Sequence, residues 1–194
     1  MNSESTYSDA PFLADNLALD FINSEYAIGG KRHDCLTDDQ SVTGWLRKAG
    51  VLPDISDQPI PDGMLAEARK LRSSARSIVN AAMNRVPVDL AVVNRVLEVG
   101  HPERKLEWDD DMQQLQSTLY HNIRSPSGLL WPIADALVNL VTSDKFEYVR
   151  QCEAHDCILL FHDLSKSHRR RWCSMATCGN RMKVAAFRSR KKPE

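Results

Sequence analysis

Four of the five cysteines of this 194-residue chain fall near its C-terminal end in two equal pairs, Cys152-x4-Cys157 and Cys173-x4-Cys178, with fifteen residues between them. Two short Cys loops joined by a hairpin-length spacer supply the corners of a tetrahedral metal site, each loop setting two thiolates about 3.5 to 4 Å apart. The expected cofactor is one structural Zn2+ on Cys152, Cys157, Cys173 and Cys178. With sulfur at every corner no position is open to water, so such an ion holds structure and performs no hydrolysis. An iron–sulfur cluster could use the same four thiolates, and His155, His162 or His168 could replace one sulfur. Paired loops within a basic segment favour zinc. Cys35 stands alone and reads as a small core residue.

Charge is the second chemical signal. The chain holds 25 Lys/Arg and 26 Asp/Glu, unevenly placed: residues 1–144 carry 13 against 21, a net of −8, and residues 145–194 carry 12 against 5, a net of +7. From Lys166 to Lys192 there are ten basic residues and no acidic one. Such a run repels itself unless it meets a polyanion, and nucleic acid phosphate is the obvious one. A solvated tail, or one docked on the acidic N-terminal part, is the bland alternative. The candidate nucleic-acid contacts are Arg169, Arg170, Arg171, Arg181, Lys183, Arg188, Arg190, Lys191 and Lys192. Guanidinium forks suit phosphate oxygens and guanine edges. Arg181, beside the last ligand, could equally brace the loops, and Trp172 is expected to pack on the small core beside the metal rather than stack on a base.

A third constellation lies upstream. Asp20 and Asn23 interrupt an apolar helix, and Arg69, Arg72 and Arg76 line one edge of the longest one. A buried carboxylate needs a partner, so an Asp20–Arg pair is expected. Asp20, Asn23 and Arg69 are either a bracing network or a pocket for a small anionic effector. No Gly-rich phosphate loop, HExxH or serine elbow is present, and the expectation is that the chain is not an enzyme. The opening MNSESTYSDAPF has neither a basic start nor an apolar run of signal-peptide length. No stretch approaches the roughly 20 apolar residues of a membrane span. A cytoplasmic protein without a membrane partner, and without disulfides, is expected.

The elements that must position these residues are mostly helical. Leu13, Leu17, Phe21 and Ile22 share a helical stripe. Thr37-Asp38-Asp39-Gln40 reads as a capping box for a helix carrying Val42, Trp45 and Leu46, closed by Gly50. Met64, Ala68, Leu71, Ala75, Ile78 and Ala82 predict a long amphipathic helix over 62–85, and a shorter one over 89–99 ends at Gly100. Lys105–Trp108 and Leu115–Tyr120 alternate as strands around an acidic turn, and Pro126 to Ser143 is an apolar helix. Phe146–Val149 and Ile158–Phe161 read as the strands of a second hairpin, followed by a helix from Gly179 to Arg190. The fold class expected is α+β, mainly α: a helical domain with a small β-hairpin over 1–145, then a treble-clef-like, four-cysteine zinc finger over 146–194. A unit of so few residues seldom folds without a metal staple.

The C-terminal stretch resembles the CGNR zinc finger, through Cys178-Gly179-Asn180-Arg181, Cys152-x4-Cys157, Leu160-Phe161-x-Asp163 and Arg170-Arg171-Trp172-Cys173-Ser174-Met175. Upstream, Leu17-Ala18-Leu19-Asp20-Phe21-Ile22-Asn23 and Trp45-Leu46-x-x-Ala49-Gly50 resemble the ABATE domain that precedes this finger. Departures are small: Ser24 stands where Thr is frequent, and His162 fills the variable place before Asp163. The resemblance implies a bacterial cytoplasmic protein described as a stress-induced transcription regulator. Three functions are carried forward: a regulator whose finger binds DNA (or RNA) while the N-terminal domain senses or forms a homodimer; a protein–protein adaptor; and a small-ligand-binding domain with the finger as support.

Overall fold

The computed structural model describes residues 12–28, 30–52, 59–120 and 122–190. The first helix, α1 (Leu17–Ile22), starts later than the stripe from Leu13 predicts. Asp15 takes a left-handed backbone (φ 56°), and the Asn16 side chain accepts the N–H of Ala18 and Leu19, capping the helix at that point. A hairpin that periodicity does not reveal follows, with β1 (Glu25–Ile28) antiparallel to β2 (Lys31–Asp34). Helix α2 (Asp39–Lys48) opens with a capping box one residue later than expected, Asp38 pairing with Ser41, and Gly50 (φ 70°) follows its end.

Helix α3 (Met64–Asn84) buries Met64, Ala68, Leu71, Ala75 and Ile78 of the predicted stripe, while Ala82, its last member, is half-buried. Helix α4 (Ala91–Val99) ends at Gly100, but for a different reason from the one a helix-stopping glycine suggests. Its φ is −92°, open to any residue, whereas a Cβ there would lie 2.2 Å from the Ser127 carbonyl oxygen. Only glycine lets α4 approach α5 that closely.

Strands β3 (Glu103–Asp109) and β4 (Gln114–Tyr120) form the expected hairpin, with Trp108 opposite Leu115. Helix α5 (Pro126–Val141), capped by Ser125, packs against α1, α3 and α4. It buries Leu129, Leu130, Ile133, Leu137 and Leu140, each contributing roughly 1.5–3 kcal/mol on leaving water. Pro132 sits within it, and the helix continues past the lost N–H because both neighbouring turns are held in the core.

The finger departs from expectation at its entry. Asp144–Tyr148 is a 3-10 helix capped by Ser143 rather than a strand. The polar cap and the short hydrogen-bonding period prevail over the Phe146–Val149 alternation. Strand β5 (Val149–Gln151) then pairs antiparallel with β6 (Leu160–His162), a π turn spans Met175–Gly179, and α6 (Asn180–Arg190) leaves it.

One hydrophobic cluster joins the helices to the finger, containing Phe21 and Leu19 of α1 together with Phe161, Leu160 and all four C-terminal cysteines. The outer edge of β6 is completed from the other end of the chain. Asn23 donates its amide to the Leu160 carbonyl (2.7 Å) and accepts the Leu160 N–H (3.0 Å), acting as one residue of a neighbouring strand. The His162 N–H donates to the Ala14 carbonyl at 2.9 Å, and Arg76 donates to the Ile158 carbonyl at 3.0 Å. Among the described residues no helix is long and apolar enough to cross a membrane.

Candidate metal centre and basic surface

Strand β5 runs directly into Cys152, whose N–H bonds the Leu159 carbonyl, and a turn closed by Cys157 N–H on the Ala154 carbonyl returns the chain into β6. The second pair is set by Ser174. Its carbonyl accepts the N–H of both Cys178 and Gly179, which turns Cys178 back toward Cys173. Gly179 leaves room for its neighbours: a Cβ there would lie 2.6 Å from the sulfur at the movable end of the exposed Met175 side chain and 3.1 Å from the Trp172 ring. Trp172 is thus half-buried packing against the finger, in the role expected of it.

The four sulfurs lie within 4.8 Å of one another, and all four side chains are buried. Cys157 Sγ is 3.9 Å from Cys173 Sγ, which is 3.6 Å from Cys178 Sγ. A tetrahedral ion with bonds of about 2.3 Å requires sulfurs about 3.8 Å apart. The donor set fits zinc chemically as well. Left to themselves the thiols conflict: Cys152 is drawn down to about 2 by hydrogen bonds from Cys157 and Cys173, while Cys157 is pushed up to about 12 by its bond to Cys152. Cys173 is raised by the same neighbours. A dication lets every sulfur be a thiolate. N–H groups are already aimed at two of them, Cys173 N–H at Cys152 Sγ (3.4 Å) and Arg181 Nη2 at Cys178 Sγ (3.5 Å). The centre is an all-sulfur site for one structural zinc.

The basic residues divide into two groups. Arg181 is held by Asp156 as well as by Cys178 Sγ; the hydrogen bond it donates keeps the Asp156 carboxyl below the usual range. Arg170 lies over the Phe161 ring at 4.4 Å and donates to the carbonyls of Trp172, Cys173 and Leu13 and to Asp15. Its own N–H bonds the buried Asp163, which also accepts from Ser165. Both arginines therefore brace the protein, the bracing role that was one of the two expected of Arg181. Arg171 is exposed, over Trp172 at 4.9 Å and paired with Glu153 at 2.6 Å. Lys166, Arg169, Lys183 and Arg188 are exposed. Arg190 ends α6, while its side chain, Lys191 and Lys192 lie outside the described residues.

Upstream, the expected Asp20–Arg pair does not form. Asp20 accepts the N–H of Leu13 (2.9 Å) and Ala14 (3.0 Å), and burial pushes its carboxyl up to about 6 against the pull of those two bonds. The arginines of α3 serve other partners. Arg69 donates to the Leu36 carbonyl and pairs with Asp34 at 3.2 Å; Arg72 grips Asp34 with both nitrogens at 2.7 and 2.8 Å and reaches Ser24 Oγ. Burial alone would raise the Asp34 carboxyl, and the Arg72 fork, the Leu36 N–H and both guanidinium charges outweigh it. Arg76 ties the carbonyls of Ile22 and Glu25 to that of Ile158. Asp20, Asn23 and Arg69 each hold a different part of the chain. The signal that could have assigned Asn23 was an amide facing an apolar core, where only backbone remains to satisfy it.

Comparison with known proteins agrees with this geometry. Residues 148–191 match the CGNR zinc finger. Residues 15–144 match the ABATE family, described as "Putative stress-induced transcription regulator". No curated protein matches the chain. Two thirds of the sequence falling in one match, with a four-sulfur site standing where the second requires it, the chain belongs to the ABATE family and carries a CGNR zinc finger.

Proposed function

We propose that this protein is a transcription regulator that binds DNA through the finger and associates through its N-terminal domain. The observation that carries the reading is the division of the basic residues. Arg170 and Arg181 fix the knuckle from within, while Lys166, Arg169, Arg171, Lys183 and Arg188 stand exposed around it. Cations mounted on a metal-fixed turn keep their spacing when they meet phosphates, so little side-chain and loop freedom is lost on binding. The Arg171–Glu153 pair is solvent-exposed and contributes little, so a phosphate can displace Glu153. Helix α6 packs on the π turn and exposes its outer residues, a rod of the width a major groove admits.

Five phosphate contacts release counterions with a log–log slope of affinity against salt near −4 to −5. Binding of the intact zinc-loaded protein to mixed-sequence duplex, followed by fluorescence anisotropy between 50 and 200 mM salt, measures it. Replacing Lys183 and Arg188 by Gln should make the slope shallower by about 2. Absence of binding at the lowest salt removes the reading in favour of a protein-binding finger. Equal binding to single-stranded RNA shifts it to RNA.

A further inference from the structure

We propose that the β3–β4 hairpin is the surface on which two copies of this chain associate, apolar face on apolar face, about a two-fold axis lying across the strands. This deepens the association assigned above to the N-terminal domain and rests on that reading.

The register of the hairpin gathers its large apolar side chains on one face, with Ser117 opposite Leu106 and Arg104 opposite Leu119 as that face's polar members. Leu106 and Trp108 on β3 face the same way as Leu115 and Leu119 on β4. The four are exposed to 70, 53, 62 and 44 %. On the opposite face the polar groups satisfy one another: Tyr120 Oη donates to Glu107 at 2.5 Å, Lys105 lies 4.7 Å over the Tyr120 ring, and Lys105 approaches Glu103 at 3.8 Å. The hairpin is therefore amphipathic with its polar side complete and its apolar side bare. A lone two-stranded hairpin is marginal in water, and what stabilises such ribbons is packing of the apolar face. Four such side chains present on the order of 500 Å² of apolar surface, at the upper end for a monomer. Two such faces together bury about 1,000 Å², the threshold of a specific interface.

Charge selects a second copy and sets its direction. Arg104, on the apolar face at the open end of the hairpin, is exposed. At the other end Asp109, Asp110 and Asp111 follow one another through the turn, where Asp109 accepts the N–H of Asp111 and Met112. Three adjacent carboxylates repel unless a cation approaches them. A two-fold axis across the strands reverses the second hairpin, so the Arg104 end of each copy lies over the acidic turn of the other. The same surface thus carries both halves of the complementarity, as an isologous interface requires.

Sedimentation velocity of the intact zinc-loaded chain, with no nucleic acid present, tests this separately from the finger. A dimer is expected within about 100 μM. Leu106→Asp with Leu115→Asp should yield monomer with zinc content unchanged. Arg104→Glu should weaken the dimer about tenfold, and adding Asp110→Arg and Asp111→Arg to that variant should restore it. Those three positions are exposed, so this series stands even if the leucine variant misfolds. A wild-type protein that stays monomeric overturns the proposal and leaves the face to a different partner. A dimer unaffected by the leucine and charge variants overturns it equally.

Discussion

Arg170 lies on Phe161 and donates to four carbonyl or carboxylate groups, whereas Arg171, the next residue, is exposed beside Glu153. The difference is set by which side of the ribbon each faces, a property that a run of three arginines does not display in sequence. Asp20 makes the same point with a measurable consequence. A carboxyl raised from 3.8 to about 6 by burial holds its proton more tightly in the native state than in the unfolded chain. Its stabilising contribution is whole below about pH 4 and is lost as pH rises through about 6. A rise of that size corresponds to about 3 kcal/mol as an upper bound. Urea unfolding of Asp20→Asn beside the parent, from pH 4 to 7, should therefore show the parent gaining on the variant by up to that amount as pH falls. Protonation of groups common to both proteins cancels in the difference. A flat difference would show that Asp20 titrates normally. The sequence made Asp20 conspicuous, as an acid among apolar residues, but implied an arginine partner; the backbone N–H groups that serve it exist only once Asp15 has turned.

Among the elements, those written in local chemistry were legible. Cysteine spacing gave the sulfur tetrahedron because each pair is closed by its own loop. The stripe on α3 and the alternation of β3 and β4 emerged where they were expected. What local pattern missed was decided by partners far away or by caps. The β1–β2 hairpin lacks an alternating stripe because β2 is largely exposed, and only the Gly29-Gly30 pair in the sequence marks it. The 3-10 entry to the finger follows from Ser143. The finger itself has little apolar bulk, and the metal must supply most of its stability. Cys173→Ser, at the sulfur lying between two others, should reduce bound zinc from one per chain to almost none. It should also lower the melting temperature of the whole chain, since the finger shares its core with the helices and structural zinc in isolated fingers is worth about 10–16 kcal/mol at neutral pH. Elemental analysis and calorimetry read both; full retention of zinc would exclude Cys173 as a ligand.

For the whole molecule, the matches to two families divide the sequence between 144 and 148, yet the packing shows no matching seam. Leu160 is clamped by Asn23, Ile158 by Arg76, His162 by Ala14, and Leu13 by Arg170. Cutting the chain at 145 leaves each half with a bare edge. Fragments 1–145 and 146–194 should each be poorly folded alone and should form a one-to-one complex when mixed with zinc, as followed by circular dichroism and gel filtration. A second fragment that binds zinc and melts cooperatively by itself would show that the finger is autonomous.

The Asn23 clamp also imposes an order on biosynthesis. The amide and the strand it holds are separated by 137 residues, which a ribosome takes about 7 to 30 s to translate. Throughout that interval the nascent helices carry an open flank, and the finger must acquire its ion and dock before Asn23 is sheltered. Maturation of the N-terminal helices therefore waits on metal supply to the finger.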